Sequence, residues 1–173
     1  MSRSMGNTIA DSLSLSLGYA EKLLKDVSVD QFGRFAAPGG QAIESNHGAF
    51  VYGHLSLYAP RILEALGKEA PAIPEVFEAN FSKDAKCVDD VDGTIYPDME
   101  AITTFFFAGY RAALEAFQVA DDSVFQQPNP IGGRMTELFP TIGSMHNFYV
   151  GGHVMIHMGQ VSAWRRMLGL GAA

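Results

Sequence analysis

Apolar residues recur every three or four positions in four long stretches of the chain, and this periodicity is typical of amphipathic helices. In the first stretch, Ile9, Leu13 and Leu17 lie on one side of such a helix. The four stretches are residues 8–27, 45–66, 97–119 and 141–168. No alternation of apolar and polar residues continues far enough to indicate a β-strand, so the sequence predicts an all-α protein.

Residues that commonly begin or end helices support these bounds. Gly67 suits the end of the second helix, Pro97 suits the first turn of the third, and Thr141 can cap the fourth. Two further segments, residues 29–32 and 77–81, have the pattern of short helices.

Two adjacent glycines, Gly151 and Gly152, fall inside the fourth predicted helix. Each costs about 1 kcal/mol relative to alanine at such a position. Either the small residues let a neighbouring helix or a ligand approach closely, or the helix bends or restarts there. The segment after Gly152 keeps the helical pattern in both cases.

Four long helices with irregular connections predict a four-helix bundle. A bundle of strictly alternating helices needs only short turns, whereas residues 68–96 form a 29-residue link that is long enough to cross the bundle. The chain of 173 residues is most simply a single domain, residues 1–173.

Charge and composition argue against several classes of protein. The formal net charge is −7 and Lys and Arg form no cluster, so nucleic acid is not an expected partner. No apolar run approaches the roughly 18 residues of a membrane span. The first residues lack the apolar segment of a signal peptide, and the single Cys87 cannot form an internal disulfide, so a cytoplasmic location is expected. Cys87 lies among aspartates, which disfavour a reactive thiolate.

The histidines carry the main functional signal. His153 and His157 are four residues apart, so on a helix their imidazoles project from one face and can hold one divalent cation. A histidine of the second helix, His47 or His54, would supply a third ligand if the two helices face each other. Three protein ligands leave a coordination position open, which is typical of catalytic rather than structural metal sites.

Several interpretations stay open at this point. A pair of histidines on a helix also arises by chance, in which case the imidazoles are ordinary packing residues. His47 lies seven residues before His54, and His146 has the same spacing in the fourth helix, so each is either a ligand or a polar or exposed residue near a helix end. Gln160 lies on the same side of the fourth helix as the histidine pair. It contacts a ligand imidazole or the substrate, or it is an ordinary helix residue.

The residue types define the chemistry that such a site can support. Imidazole nitrogen is a ligand for zinc, nickel and iron. A bound cation lowers the pKa of water to about 7 and deprotonates a bound thiol, so it can generate a hydroxide or thiolate nucleophile. The sequence therefore predicts a reaction on a small electrophilic substrate, and it offers no recognisable general base.

Two motifs resemble those of the DinB/YfiT-like metalloenzyme family. They are Gly53-His54-Leu55 in the second helix and His153-x-x-x-His157-x-Gly159-Gln160 in the fourth, which closes with Arg165-Arg-Met-Leu-Gly169. Helix order and helix lengths are also similar over most of the chain. The resemblance implies an up-down-down-up four-helix bundle in which His54, His153 and His157 bind a divalent metal, zinc or nickel. It also implies that Gln160 is the motif glutamine.

The same resemblance implies a homodimer and, as in some relatives, a reaction that uses a low-molecular-weight thiol as cosubstrate. Met158 stands where relatives often have arginine. We therefore expect a metal-dependent S-transferase, isomerase or hydrolase that acts on a small electrophile. The alternative is a non-catalytic stress protein of the same fold that binds a metal or a small ligand.

Overall fold

The computed structural model of the protein describes residues 3–173, and over that range the protein is all-helical, as predicted. Within the same range, the nearest approach to a sheet is one isolated bridge between Pro128 and Thr141. The α-helices are α1 (Met5–Leu23), α2 (Val29–Phe32), α3 (Gly48–Ser56), α4 (Tyr58–Ala65), α5 (Glu75–Phe81), α6 (Met99–Val119), α7 (Asp122–Phe125), α8 (Gly133–Leu138), α9 (Ile142–Asn147) and α10 (Val154–Met167). A 3₁₀ turn, Pro38–Gly40, follows α2, and a π-helical turn, Phe148–His153, joins α9 to α10.

The first predicted helix is α1, which begins and ends earlier than the apolar pattern indicates. The hydroxyl oxygen of Ser4 accepts a hydrogen bond from the backbone N–H of Asn7 (3.1 Å), and this cap sets the start of the helix. Beyond the end of α1, Asp26 has a φ of 62°, which a right-handed helix does not permit. The last predicted residues of this stretch therefore form a turn.

The second predicted helix is divided at Leu57 into α3 and α4. Pro60 has no N–H to donate to the carbonyl of Ser56, so the regular hydrogen-bond ladder is interrupted there. The predicted end at Gly67 is confirmed: its φ is 67°, and the N–H of Lys68 donates to the carbonyl of Leu63 (2.9 Å).

The third predicted helix is α6, and it begins two residues after Pro97. The carboxylate of Asp98 caps it by accepting a hydrogen bond from the backbone N–H of Ala101 (2.7 Å). Pro97 precedes this cap, so the prediction that it occupies the first helical turn is wrong. An aspartate satisfies an otherwise unpaired N–H and complements the positive end of the helix dipole, which favours Asp98 as the boundary.

The fourth predicted helix begins where expected but changes type along its length. The Oγ1 of Thr141 accepts a hydrogen bond from the backbone N–H of Ser144 (3.2 Å), which confirms the predicted cap. Gly151 and Gly152 lie in the π-helical turn, so the interruption of the helix is the interpretation that the structure supports. A Cβ on Gly151 would lie 3.7 Å from the nearest side-chain atom, which is an ordinary contact, so close approach does not require glycine there.

The connections contain more helix than the sequence indicates. The predicted short helices correspond to α2 and to α5, which extends the predicted 77–81 segment back to Glu75. Two short helices, α7 and α8, were not predicted within residues 120–140. That stretch contains three prolines and two glycines, and a helix of four to six residues has too few positions to show a periodic pattern.

The long helices pack around one apolar core. α1 contacts α6 on one side and the π-helical turn and α10 on the other, while α3 contacts α5, α6 and α10. The largest side chains between them, including Phe106, Tyr110 and Trp164, are fully buried. The hydroxyl of Tyr110 donates to the carbonyl of Leu55 (3.0 Å), and the indole N–H of Trp164 donates to the carbonyl of Arg34 (2.9 Å). No helix within residues 3–173 is both long enough and apolar enough to cross a bilayer.

A buried arginine joins the end of α1 to the last residues of the chain. Arg165, in the last turn of α10, donates to the carbonyl oxygens of Leu23 (2.8 Å) and Lys25 (2.9 Å) just after α1. It also donates to the carbonyls of Leu170 and Gly171, both at 3.1 Å. The guanidinium is thus surrounded by hydrogen-bond acceptors, which offsets the cost of burying its charge.

Candidate metal centre

Three imidazoles converge between α3 and the last helix. His54 is in α3, His153 ends the π-helical turn, and His157 lies one turn later in α10. Each offers one ring nitrogen, and these three nitrogens lie within 4.8 Å of one another. The Nε2 atoms of His153 and His157 are 3.1 Å apart. Ligands placed tetrahedrally around zinc at about 2.0–2.1 Å lie about 3.3 Å from one another, so this spacing suits a shared ion.

Two of the imidazoles are oriented by hydrogen bonds from their outer nitrogens. The Nδ1 of His54 donates to the backbone carbonyl of Phe81 at the end of α5 (2.8 Å). The Nδ1 of His157 donates to the side-chain Oε1 of Gln160 (3.0 Å). Because a neutral imidazole carries one proton, each Nε2 keeps a free lone pair. A hydrogen bond of this kind to the non-ligating nitrogen is the usual support of metal-binding histidines.

The protonation state of the cluster also favours metal binding. Burial lowers the pKa of His54 and of His157 below the ordinary imidazole value. Burial, together with repulsion from the other two imidazoles, lowers the pKa of His153 to about 3. The three rings are therefore neutral at physiological pH, which is the form that binds a cation. The facing Nε2 lone pairs of His153 and His157 repel each other unless a proton or a cation lies between them.

Aromatic rings surround the histidines. The ring of Phe50 is stacked on His54, with centroids 6.3 Å apart and an interplanar angle of 8°. Tyr58 lies edge-on to His153 at 4.5 Å and to His54 at 5.3 Å. These rings restrict the motion of the imidazoles and exclude water from one side of the site.

A cavity of about 300 Å³ lies against two of the three histidines, His54 and His157. Its lining consists of Phe50, His54, Tyr58, Ser82, Lys83, Ala85 and His157. No carboxylate belongs to this lining, so among these residues the ionisable groups beside the histidines are a lysine and a tyrosine. Burial raises the pKa of Tyr58, which keeps its hydroxyl protonated at neutral pH. The cavity is large enough for a small substrate beside a metal ion.

The other two histidines do not join the cluster. His47 precedes α3 as its N-cap, where its Nδ1 accepts from the N–H of Phe50 (3.4 Å) and its Nε2 donates to the carbonyl of Val88 (2.9 Å). His146 lies against the ring of Phe117, and neither of its nitrogens has a hydrogen-bond partner in the structure. Both imidazoles are fully buried. Both lie near a helix end as predicted, His47 as the N-cap of α3 and His146 in the last turn of α9, but neither is exposed.

The acidic segment and the cysteine have structural surroundings. Asp89 forms an ion pair with Arg34 (2.8 Å), and Asp90 is buried and accepts hydrogen bonds from backbone N–H groups of residues 94–96. Burial raises the pKa of Cys87 to about 11, so its thiol stays protonated. Arg34 and Asp90 also line a second cavity of about 330 Å³, which contains none of the clustered histidines.

The sequence predicted His153 and His157 from their spacing, His54 through the family resemblance, and Gln160 as a contact of a ligand imidazole, which the hydrogen bond to His157 matches. It did not indicate the other groups that orient and enclose the histidines. Tyr58 follows His54 by four residues, so its place on the same helix face was visible in the sequence. The carbonyl of Phe81 carries no sequence signal, because every residue has one. Asn46 donates to Gln160 (3.0 Å), and only the fold brings these two residues together.

No protein-family model matches the chain, and no curated protein matches it. The resemblance to the DinB/YfiT-like family therefore rests on the two histidine motifs and the helix pattern alone.

Proposed function

We propose that the protein is a divalent-metal-dependent enzyme that acts on a small electrophile, with His54, His153 and His157 as the metal ligands. The observation that carries this proposal is the convergence of three neutral imidazoles whose donor nitrogens lie within 4.8 Å of one another. Outer hydrogen bonds leave the Nε2 atoms of His54 and His157 free to act as ligands. A cation bound where the three nitrogens converge would account for both their spacing and the hydrogen bonds to the outer nitrogens.

The donor set favours zinc or nickel. Imidazole nitrogens suit zinc, nickel and iron, whereas magnesium and calcium prefer oxygen ligands that this cluster does not provide. A bound cation of this kind would act as a Lewis acid and stabilise a hydroxide or thiolate at neutral pH. Three protein ligands would leave room for one such group on the side of the cavity.

The cavity lining supports a small substrate and a nucleophile that the protein does not itself supply. Phe50 and Tyr58 provide apolar walls, while the exposed Lys83, which forms an ion pair with Asp84 (2.9 Å), also lines the cavity. Phe50 has no titratable group, and burial raises the pKa of Tyr58 so that its hydroxyl stays protonated at neutral pH. Neither side chain can therefore act as a general base. These features support a reaction of the S-transferase, isomerase or hydrolase type, with a low-molecular-weight thiol or water as the attacking group.

We further propose that the chain is a member of the DinB/YfiT-like family, a cytoplasmic homodimer with an up-down-down-up bundle. The neighbour relations of α1, α3, α6 and α10 are compatible with four long helices around one core. The alternative is a metal- or ligand-binding protein without turnover, and the lack of a general base among the cavity residues is compatible with either function. A turnover assay separates the two functions.

The test is elemental analysis of untagged protein, because a histidine tag would add ligands of its own. The wild-type protein should carry about one zinc or nickel per chain after reconstitution, and His153→Ala should carry none. His146→Met is the matched control, since it removes a buried histidine outside the cluster and should retain the metal. A wild-type protein that stays metal-free, or a His153→Ala variant that keeps its metal, would contradict the proposal.

Turnover is then measured with an aryl halide and a panel of small thiols. Conversion that requires both the metal and the thiol would identify the enzyme as a transferase. Stoichiometric metal binding without turnover of halides, isomerisable enones or esters would favour the non-catalytic alternative.

A further inference from the structure

We propose that Asn46 is a positioning residue of the metal centre, which orients the side-chain amide of Gln160 and thereby selects the metal-binding tautomer of His157. The inference deepens the proposed function and rests on the metal site described there. Asn46 precedes α3, whereas Gln160 and His157 lie in α10. The contact therefore spans 114 residues of sequence and joins the two helices that carry the histidines.

One oxygen atom connects the three residues. The Oε1 of Gln160 accepts a hydrogen bond from the Nδ2 amide of Asn46 at 3.0 Å and another from the Nδ1 of His157 at 3.0 Å. The outer nitrogen of His157 must therefore carry the ring proton, and its Nε2 presents a lone pair toward His153.

The opposite orientation of Gln160 would remove the ligand. A half-turn of its amide exchanges the oxygen for the NH₂ group, which can only donate. The Nδ1 of His157 would then accept, and the ring proton would move to Nε2, where it points at the other imidazoles. An imidazole with its proton on that nitrogen cannot coordinate a shared cation through it. The orientation of this exposed amide thus favours one tautomer of His157 over the other, and only the observed orientation leaves Nε2 as the ligand.

Asn46 favours the metal-binding orientation of Gln160 because its side-chain amide donates a hydrogen bond. Its NH₂ group pairs with the oxygen of Gln160 in the metal-binding orientation and would meet another NH₂ group if Gln160 alone turned. Because Asn46 can itself turn, the neutral pair can adopt both arrangements, and the structure contains the one that frees Nε2. A carboxylate at position 46 can only accept and would stabilise the wrong arrangement. A carboxylate at position 160 can only accept and would enforce the right one.

The two carboxylate variants therefore act in opposite directions. Asn46→Asp should convert His157 in the metal-free protein to the tautomer protonated on Nε2, whereas Gln160→Glu should keep the Nδ1-protonated form. Imidazole ¹⁵N NMR at pH 7.5 reads the tautomer without any metal. Zinc affinity, measured by competition with a chromophoric chelator, should fall about tenfold or more in Asn46→Asp and should not fall in Gln160→Glu.

Two further variants distinguish the reversed hydrogen bond from a lost contact and from added charge. Asn46→Ala deletes the contact without reversing it, so its zinc affinity should lie between those of the wild type and Asn46→Asp. If Asn46 only filled space, Asn46→Asp would bind zinc more tightly than Asn46→Ala, because aspartate has nearly the shape of asparagine. Added negative charge would by itself attract zinc, and Asn147→Asp, at an exposed position, controls for that charge. Asn147→Asp should behave like the wild type.

The outcomes separate this inference from the proposed function. If Asn46→Asp keeps the wild-type tautomer, or binds zinc better than Asn46→Ala, the positioning role is overturned. If the tautomer shifts as expected but the wild-type protein binds no zinc or nickel, the positioning role is supported and the proposed metal-dependent function fails. A tautomer shift accompanied by weaker zinc binding supports both.

Discussion

His146 should make the protein less stable in mild acid, and replacing it should remove that sensitivity. The imidazole is fully buried against Phe117, and neither ring nitrogen has a partner. Burial lowers its pKa from 6.5 to about 4, because a charged ring would lose its hydration without gaining an acceptor. An imidazole that is neutral when folded and protonated when unfolded destabilises the folded state as the pH falls.

The magnitude follows from the two pKa values. The folded pKa is lowered, so the full stability is present above pH 6.5 and is lost progressively as the pH falls toward about 4. Each pKa unit corresponds to about 1.4 kcal/mol, so the complete loss is about 3 kcal/mol and the loss at pH 5 is about 2 kcal/mol. A domain of this size has a free energy of unfolding of about 5–15 kcal/mol, so the effect is large enough to measure.

The assay is urea denaturation of the metal-free protein between pH 7.5 and 4.5, with a chelator present because metal binding is itself pH-dependent. His146→Met places an unbranched apolar chain of similar volume in the same space. The other buried histidines titrate in both proteins, so the difference between the two curves isolates His146. At pH 7.5 the two proteins should be similar, and near pH 5 the variant should be the more stable by about 2 kcal/mol.

Parallel curves for the two proteins would refute this reasoning. They would mean that the imidazole is hydrated or finds an acceptor once it is protonated. If the variant were more stable by the same amount at pH 7.5, the difference would not depend on protonation of His146 and would instead be due to packing.

Three further substitutions test the packing around the site. Gly159→Ala should raise the free energy of unfolding by about 1 kcal/mol, since the added methyl group meets nothing within 4 Å on an exposed helix face; thermal unfolding measures it. Gly53→Ala should lower the free energy of unfolding by about 1–3 kcal/mol, because the added methyl group would lie 2.5 Å from ring carbons of Phe81. It should also weaken zinc binding, because the carbonyl of Phe81 orients His54. Thermal unfolding measures the first effect and chelator competition the second. Asp90→Ala should lower the free energy of unfolding by about 2 kcal/mol with unchanged zinc affinity, because it removes the acceptor of the backbone N–H groups of residues 94–96, of which that of Tyr96 is buried. Urea denaturation at pH 7.5 measures this change.

Periodicity was sufficient to predict the long helices but not their interruptions. α1 and α6 have long, uninterrupted apolar faces, so their existence followed from spacing alone. The start of each helix depends on a single capping side chain. Several neighbouring residues could serve as the cap equally well, so the sequence does not identify which one does. The π-helical turn has no distinct composition, and the paired glycines within it were equally compatible with an unbroken helix.

The candidate site shows where spacing arguments end. His153 and His157 could be paired from sequence because they are four residues apart and the backbone from His153 (φ −64°, ψ −48°) into α10 is helical. His47 and His54 could not be distinguished from the residues alone, since a separation of seven puts two positions of a helix on one face. In the structure His47 has extended backbone angles (φ −99°, ψ 177°) and lies outside α3, so it does not share that face. His146 is likewise separated from His153 by the π-helical turn, which shifts the register of the helix.

The connection between α4 and α6 supplies backbone acceptors to two histidines. The carbonyl of Phe81 accepts from His54, and that of Val88 accepts from His47. Surface connections of this length ordinarily tolerate inserted or deleted residues, because closing a slightly longer loop costs little entropy. Between these two carbonyls a single inserted residue would move one acceptor out of reach of its imidazole. Length variation that keeps both of these contacts is therefore confined to the parts of the connection outside α5 and residues 82–88.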